Sequence, residues 1–99
     1  MQLRDIAHSR TGDKGNTSNI SLIAYRAEDY PTLLREITAA KVAAFFASVI
    51  TGPVERYEMP GVLGLNFVLH GALGGGVTRS LALDAHGKSL GSALLAMEI

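Results

Sequence analysis

The sequence predicts a single α+β domain built as a two-layer sandwich, with helices on one face of a mainly antiparallel sheet. Three observations support this prediction. Residues 19 to 26 alternate as a buried strand does, residues 42 to 50 repeat their apolar side chains at helical spacing, and residues 84 to 88 have the composition of a hairpin turn. The length of 99 residues fits one domain, residues 1 to 99.

The composition excludes several classes of protein. Nine basic residues balance nine acidic ones, so the chain lacks the positive field that gathers nucleic acid. It has no cysteine, and its N-terminus lacks the pattern of a signal peptide, which predicts a cytoplasmic protein. The longest apolar stretches, 39 to 50 and 93 to 97, are too short for a bilayer, which takes about 20 residues. Because 47 % of the residues are hydrophobic and only 18 % are charged, we expect an oligomer or a subunit.

The first half of the chain predicts a loop, a strand and two helices. Residues 8 to 19 contain no hydrophobic side chain and therefore predict a loop, which leads into the strand at 19 to 26. Asp29 is the expected N-cap of the first helix, with a proline in its first turn. Thr38 is the expected cap of the second helix, which should run to Ile50 and lay an apolar stripe on the sheet.

The second half predicts further strands. Residues 54 to 59 indicate a strand with one solvent-exposed face. Residues 62 to 73 fit either a strand or a short helix, and the helix is favoured because the glycines at 74 to 76 would end it. Strands at 78 to 83 and 89 to 97 would flank the hairpin turn. Four or five strands with helices crossing one face match a ferredoxin-like topology.

The polar segment from 8 to 19 is the first candidate site. Gly12 and Gly15 would let backbone N–H groups converge on an anion. Arg10 and Lys14 would neutralise a carboxylate or a phosphate there. The other polar members that could bind a ligand are Asp13, Asn16 and Asn19. The alternative is a surface loop whose polar side chains cap their own turns.

The familiar nucleotide-binding motifs do not fit this sequence. Gly12 to Gly15 lacks the Lys-Ser/Thr ending of a P-loop, and Gly71 to Gly76 lacks the first two glycines of the dinucleotide fingerprint. Gly87-Lys88-Ser89 resembles a P-loop ending, but Ala82 stands where the first glycine belongs. We therefore expect no nucleotide hydrolysis, and no cofactor is predicted.

A second candidate cluster surrounds the glycines near Gly75. Asn66 and His70 lie four positions apart and would share one face of a helix, close to Arg79. His8 or His70 could act as a general acid or base because histidine titrates near neutral pH. The alternative is a buried histidine that is bonded to the backbone. The histidines are too widely spaced along the chain to predict a metal site.

Four blocks of sequence match a known family in order, at 8 to 19, 57 to 61, 65 to 81 and 84 to 88. They resemble the ferredoxin-fold domain of the AtuA (acyclic terpene utilisation) family, and the resemblance spans nearly the whole chain. It implies a stand-alone form of a domain that otherwise follows a much larger one. It also implies a role in the catabolism of acyclic terpenoid or branched acyl-CoA compounds, without assigning catalytic residues.

Three functions are compatible with these features. The favoured one is an accessory subunit that docks on a larger AtuA-like protein and supplies both polar clusters to a shared site for an acyl-CoA or carboxylate ligand. The second is a small homo-oligomeric enzyme of the hydratase or isomerase type. The third is a non-catalytic assembly scaffold. Neither nucleic acid nor a membrane is an expected partner.

Overall fold

The computed structural model describes residues 1–14, 17–71 and 89–99, and its centre is a four-stranded antiparallel sheet. The strands are β1 (Ala7–Lys14), β2 (Thr17–Ala24), β3 (Val54–Met59) and β4 (Gly64–His70), in the order β1-β2-β4-β3. The described α-helices are α1 (Tyr30–Glu36), α2 (Ala39–Phe45) and α3 (Ser89–Leu94). Short 3₁₀ helices occupy Leu3–Asp5, Ala27–Asp29 and Pro60–Val62. The predicted α+β class with an antiparallel sheet is confirmed.

The first two strands, β1 and β2, pair antiparallel along their whole length. Their register runs from Ala7 opposite Ala24 to Lys14 opposite Thr17. The prediction of a loop from 8 to 19 is wrong, because this polar segment forms most of β1 and the start of β2. Polar side chains are compatible with an antiparallel strand when one face of the sheet has no helix on it. A polar composition therefore did not indicate a loop here.

The strands β3 and β4 form the second hairpin, with β3 where it was predicted. The helix favoured for 62 to 73 is wrong, because its described part contains β4. Leu65, Phe67 and Leu69 are fully buried, whereas the residues between them are half-buried. This is the period of two that a strand imposes, and a helix could not bury all three side chains on one face.

The pairing of β2 with β4 joins the two hairpins into one sheet. Ile20 lies opposite Phe67, and Ser21 lies opposite Asn66. Because of this register, the buried residues of both strands face the same side. A slip by one residue would turn one strand's apolar set to the solvent.

The helices α1 and α2 begin where the sequence predicts. Asp29 occupies the N-cap of α1, with the proline in the first turn, although the aspartate side chain makes no capping bond. Thr38 caps α2, since its Oγ1 accepts a hydrogen bond from the Lys41 N–H at 3.1 Å. The helix α2 ends at Phe45, before the predicted end at Ile50, and Ile50 still packs partly buried against the core.

The C-terminal segment from 89 to 94 is a helix, so the strand predicted there is wrong. Leu90 and Leu94 lie four residues apart and are both buried, which is the spacing of a helix face. The Gly91 N–H donates to Thr11 Oγ1 at 3.0 Å. A Cβ at Gly91 would stand 2.5 Å from that same oxygen, so glycine is needed for α3 to approach β1 this closely.

The core lies between the helices and the sheet. Its largest fully buried apolar side chains are those of Leu3, Ile20, Leu22, Leu33, Ile37, Val42, Leu65, Phe67, Leu69 and Leu94. Among the residues described, no helix is long and apolar enough to span a membrane. The strand predicted at 78 to 83 and the hairpin turn at 84 to 88 lie outside the described residues.

Two polar side chains fasten α1 to the second hairpin. The Tyr30 hydroxyl, at the start of α1, donates to the Gly64 carbonyl oxygen in β4 at 2.9 Å. Arg56 of β3 donates to the carbonyl oxygens of Leu34 and Ile37, each at 2.9 Å. These carbonyls lie at the C-terminal end of α1, where no following turn of the helix supplies N–H donors. The guanidinium supplies the hydrogen bonds instead.

Replacing Phe67 with alanine should lower the free energy of unfolding by about 3 to 5 kcal/mol, because it leaves a cavity among fully buried neighbours. Phe45→Ala is the matched control, since Phe45 is 41 % exposed, and it should cost less than half as much. Urea denaturation measures both values, and Phe67→Leu provides a milder change if Phe67→Ala does not fold. Equal losses at the two positions would contradict the placement of Phe67 in the core.

Candidate functional site

The sheet has one face covered by helices and one that the described helices leave uncovered. Alternate residues of a strand point to opposite faces, and the buried residues of β2 and β4 lie on the helix side. The opposite side is named the open face. Its described side chains are those of His8, Arg10, Thr17, Asn19, Ser21, Ile23, Glu55, Tyr57, Met59, Asn66, Val68 and His70. All of them are half-buried or exposed.

Five predicted site residues share the open face, and they come from three strands. These residues are His8, Arg10, Asn19, Asn66 and His70. The sequence placed them in two clusters about fifty positions apart, and the pairing of β2 with β4 merges the clusters into one surface. The strand geometry also keeps Asn66 and His70 on one face, because positions i and i+4 share a face in a strand as they do in a helix.

A row of polar side chains crosses the middle of the open face. It consists of Arg10, Ser21, Asn66 and Tyr57, which pair in register on four successive strands. The Asn66 Nδ2 group donates to Ser21 Oγ at 3.0 Å, which fixes the centre of the row. With neighbouring strands about 4.8 Å apart, the row spans roughly 14 Å. That length is sufficient for several polar groups of one extended ligand.

At the β3 edge, the side chains of Tyr57 and His70 both approach one carboxylate oxygen of Glu55. The Tyr57 hydroxyl donates to Glu55 Oε1 at 2.8 Å, and His70 Nε2 lies 3.5 Å from the same oxygen. The hydrogen bond from Tyr57, together with the contact with His70, lowers the pKa of the Glu55 carboxyl. The same bond raises the pKa of the Tyr57 phenol, because ionisation would place two negative charges together.

The opposite edge of the open face carries positive charge. Arg10 in β1 is exposed and permanently charged. His8 lies two residues before it, and its ring packs against Tyr25 with the ring centroids 5.1 Å apart. Since Glu55 lies at the β3 edge, the open face has a cationic edge and an anionic edge.

The glycine nest predicted between residues 12 and 15 does not form at Gly12. Gly12 lies in β1 opposite Asn19, in extended backbone rather than in a turn. A Cβ at Gly12 would meet the Asn19 side-chain oxygen at 3.3 Å, so the glycine leaves room for that amide. Asp13 and Lys14 end β1, where they pair with Ser18 and Thr17. The remaining predicted site residues lie outside the described residues, and they are Gly15, Asn16, Gly75 and Arg79.

A polar cleft lies where β1 meets α3. Ser9, Arg10, Thr11 and Ser92 line it, and its volume is about 370 Å³. The cleft is open to solvent. Its lining offers three hydroxyl groups and one charged group, the Arg10 guanidinium. Among residues 1–14, 17–71 and 89–99, no three acidic or histidine side chains stand close enough together to hold a metal ion.

Sequence reasoning missed Glu55 and Tyr57. The signal was present, because the strand prediction for 54 to 59 already gave it one wet face. These two residues are two positions apart, so they share that face. What the sequence lacked was the neighbour, since His70 comes from another strand whose pairing was not predicted.

Removing the Tyr57 hydroxyl should raise the pKa of Glu55 towards its ordinary value of 4.5, because the carboxylate loses a donor. A carboxyl-carbon NMR titration of Tyr57→Phe measures this shift. Any stabilisation from the ionised carboxylate is complete above the ordinary value and disappears as the pH falls through the lowered folded-state value. Tyr25→Phe is the control, since Tyr25 contacts His8 rather than Glu55. An unchanged pKa in Tyr57→Phe would contradict the bond.

The chain matches one family over its whole length. The family model is described as the AtuA ferredoxin-like domain, and it covers residues 1–99. This match confirms both the resemblance and the ferredoxin-like class. No curated protein and no solved structure matches the chain.

Proposed function

The chain belongs to the AtuA ferredoxin-like domain family, and on that basis we propose that it is an accessory subunit. In this proposal it docks on a larger AtuA-like protein through the open face. The polar groups of that face become part of a shared ligand site. The assembly then serves the catabolism of acyclic terpenoid or branched acyl-CoA compounds.

The gathering of five predicted polar residues on the open face carries this proposal. A face exposed only to water would need no particular arrangement of Arg10, Asn19 and Asn66. Apolar groups lie between these residues, with Ile23 and Val68 half-buried. Such a mixture is typical of surfaces that bind a partner and come apart again.

The size of the open face limits how tightly it can bind. Four strands about 4.8 Å apart and six to eight residues long give roughly 400 Å² in projection. A standard interface buries about 800 Å² on each partner, so this face matches a small or transient contact. We therefore expect a transient complex rather than a permanent one.

The side chains of the open face suit a ligand with a negative charge and a carbonyl group. The Arg10 guanidinium is a donor for carboxylate or phosphate oxygens. The Asn19 side chain is exposed, and its amide can donate to a carbonyl oxygen. An acyl-CoA offers phosphates and a thioester carbonyl, so both kinds of donor have a counterpart in it.

One observation favours a second candidate function, a small homo-oligomeric enzyme of the hydratase or isomerase type. The contact of Glu55 with both Tyr57 and His70 places an acid and a base side by side. In this alternative a second copy of the chain covers the open face, and no larger protein is needed.

Co-expression with a larger AtuA-like protein of the same organism tests the proposal. We expect a complex of fixed stoichiometry by native mass spectrometry, and Tyr57→Ala should weaken it about tenfold or more by removing a 52 % exposed aromatic side chain of the open face. Phe45→Ala is the matched control, because it removes an exposed aromatic from α2 and should leave the affinity unchanged.

Absence of a complex at tens of micromolar protein would overturn the accessory-subunit proposal. A homo-oligomer that Tyr57→Ala disrupts would favour the small enzyme instead. Equal losses in Tyr57→Ala and Phe45→Ala would show that the contact does not use the open face.

A further inference from the structure

The β3 edge of the open face holds a histidine and a carboxylate in contact. His70 Nε2 faces Glu55 Oε1 at 3.5 Å, while the Tyr57 hydroxyl donates to the same oxygen at 2.8 Å. The tyrosine therefore limits the rotation of the carboxylate that faces the imidazole. His70 remains accessible, with 39 % of its side chain exposed.

We propose that this cluster is a proton-transfer site in which His70 exchanges the proton and Glu55 is its positioning residue. The ligand class is a carbonyl compound with a removable proton on the neighbouring carbon. This inference rests on the proposed function for the ligand, and it names the part of the open face that reacts.

The contact between Glu55 and His70 assigns a role to each imidazole nitrogen. A carboxylate accepts hydrogen bonds only, so a neutral His70 places its proton on Nε2, towards Glu55. The lone pair then lies on Nδ1, which becomes the proton acceptor. When Nδ1 takes up the proton, the imidazolium lies 3.5 Å from a carboxylate oxygen of opposite charge.

Val68 gives the ligand an apolar place beside these groups. It lies between Glu55 on β3 and Asn19 on β2 in the register of the sheet, and two positions before His70 on β4. Cross-strand neighbours are about 5 Å apart and same-face neighbours on one strand about 7 Å apart. An acyl group on Val68 is thus within reach of the imidazole.

The proton-transfer step balances without a further reactant. The C–H bond next to the carbonyl breaks, and an N–H bond forms at His70 Nδ1. The electron pair of the broken bond moves onto the carbonyl oxygen. The proton then returns to the same carbon, which gives exchange, or, where a carbon–carbon double bond lies next to that carbon, to the far end of the double bond, which gives an isomer.

The first test is the tautomer of His70, measured by ¹⁵N NMR of the imidazole in the chain alone. We expect the Nε2–H form in the wild type and a mixture of tautomers in Glu55→Ala. Glu58→Ala is the matched control, because Glu58 is a carboxylate on the same strand that bonds Arg56 instead. The ring of His8 is an internal reference within the same spectrum. Identical tautomers in wild type and Glu55→Ala would overturn the positioning role of Glu55.

The second test is hydrogen exchange on a branched acyl thioester, isovaleryl-CoA, in D₂O. Mass spectrometry follows deuterium at the carbon next to the carbonyl, with the full chain alone and in complex with the larger protein. His70→Gln should lower the exchange rate at least 100-fold, Glu55→Ala should lower it about tenfold, and Glu58→Ala should leave it unchanged.

The outcomes separate this inference from the proposed function. No exchange above buffer, with either the chain or the complex, would overturn the proton-transfer site even if the complex forms. Exchange by the chain without any complex would support the site and count against the accessory subunit. Equal rates in wild type and His70→Gln would remove His70 from the reaction.

Discussion

The antiparallel pairing of β2 with β4 is the constraint on which the rest of the molecule depends. Neither hairpin by itself has enough apolar surface for a core. When Ile20 lies opposite Phe67, both strands turn their apolar sets towards the helices. The period of two then sends Asn19, Ser21 and Asn66 to the other side. A single register therefore determines both the core and the open face.

The helix layer depends on the same register. Tyr30 at the start of α1 reaches a carbonyl of β4, and Arg56 of β3 reaches the carbonyls at the other end of that helix. An arginine on the core side of an edge strand is costly to bury without partners. Here its donors are satisfied by two backbone oxygens and by the Glu58 carboxylate, whose Oε2 accepts a hydrogen bond from Arg56 at 3.1 Å. These three hydrogen bonds hold the helix at both of its ends.

The open face combines features that contribute little to stability. Its charges lie at opposite edges, with Arg10 in β1 and Glu55 in β3. The electrostatic field along the face therefore runs from a positive edge to a negative edge. Exposed ion pairs add little to the free energy of folding, so the contact between Glu55 and His70 is poorly explained as a stabilising device. The proton-transfer role that we propose accounts for its place beside Val68.

The sequence by itself determined the fold class, the starts of α1 and α2, the strand β3 and most of the polar residues of the open face. Local chemistry was sufficient for these, since a Thr38 cap or a wet-faced strand needs only near neighbours. Only the tertiary structure decided that residues 8 to 14 and 17 to 19 lie in two paired strands and that β4 is a strand. It also brought His70 to Glu55. A short segment can fit the apolar spacing of a helix and that of a strand equally well. Strands that pair across a long sequence separation leave no local signal of their pairing.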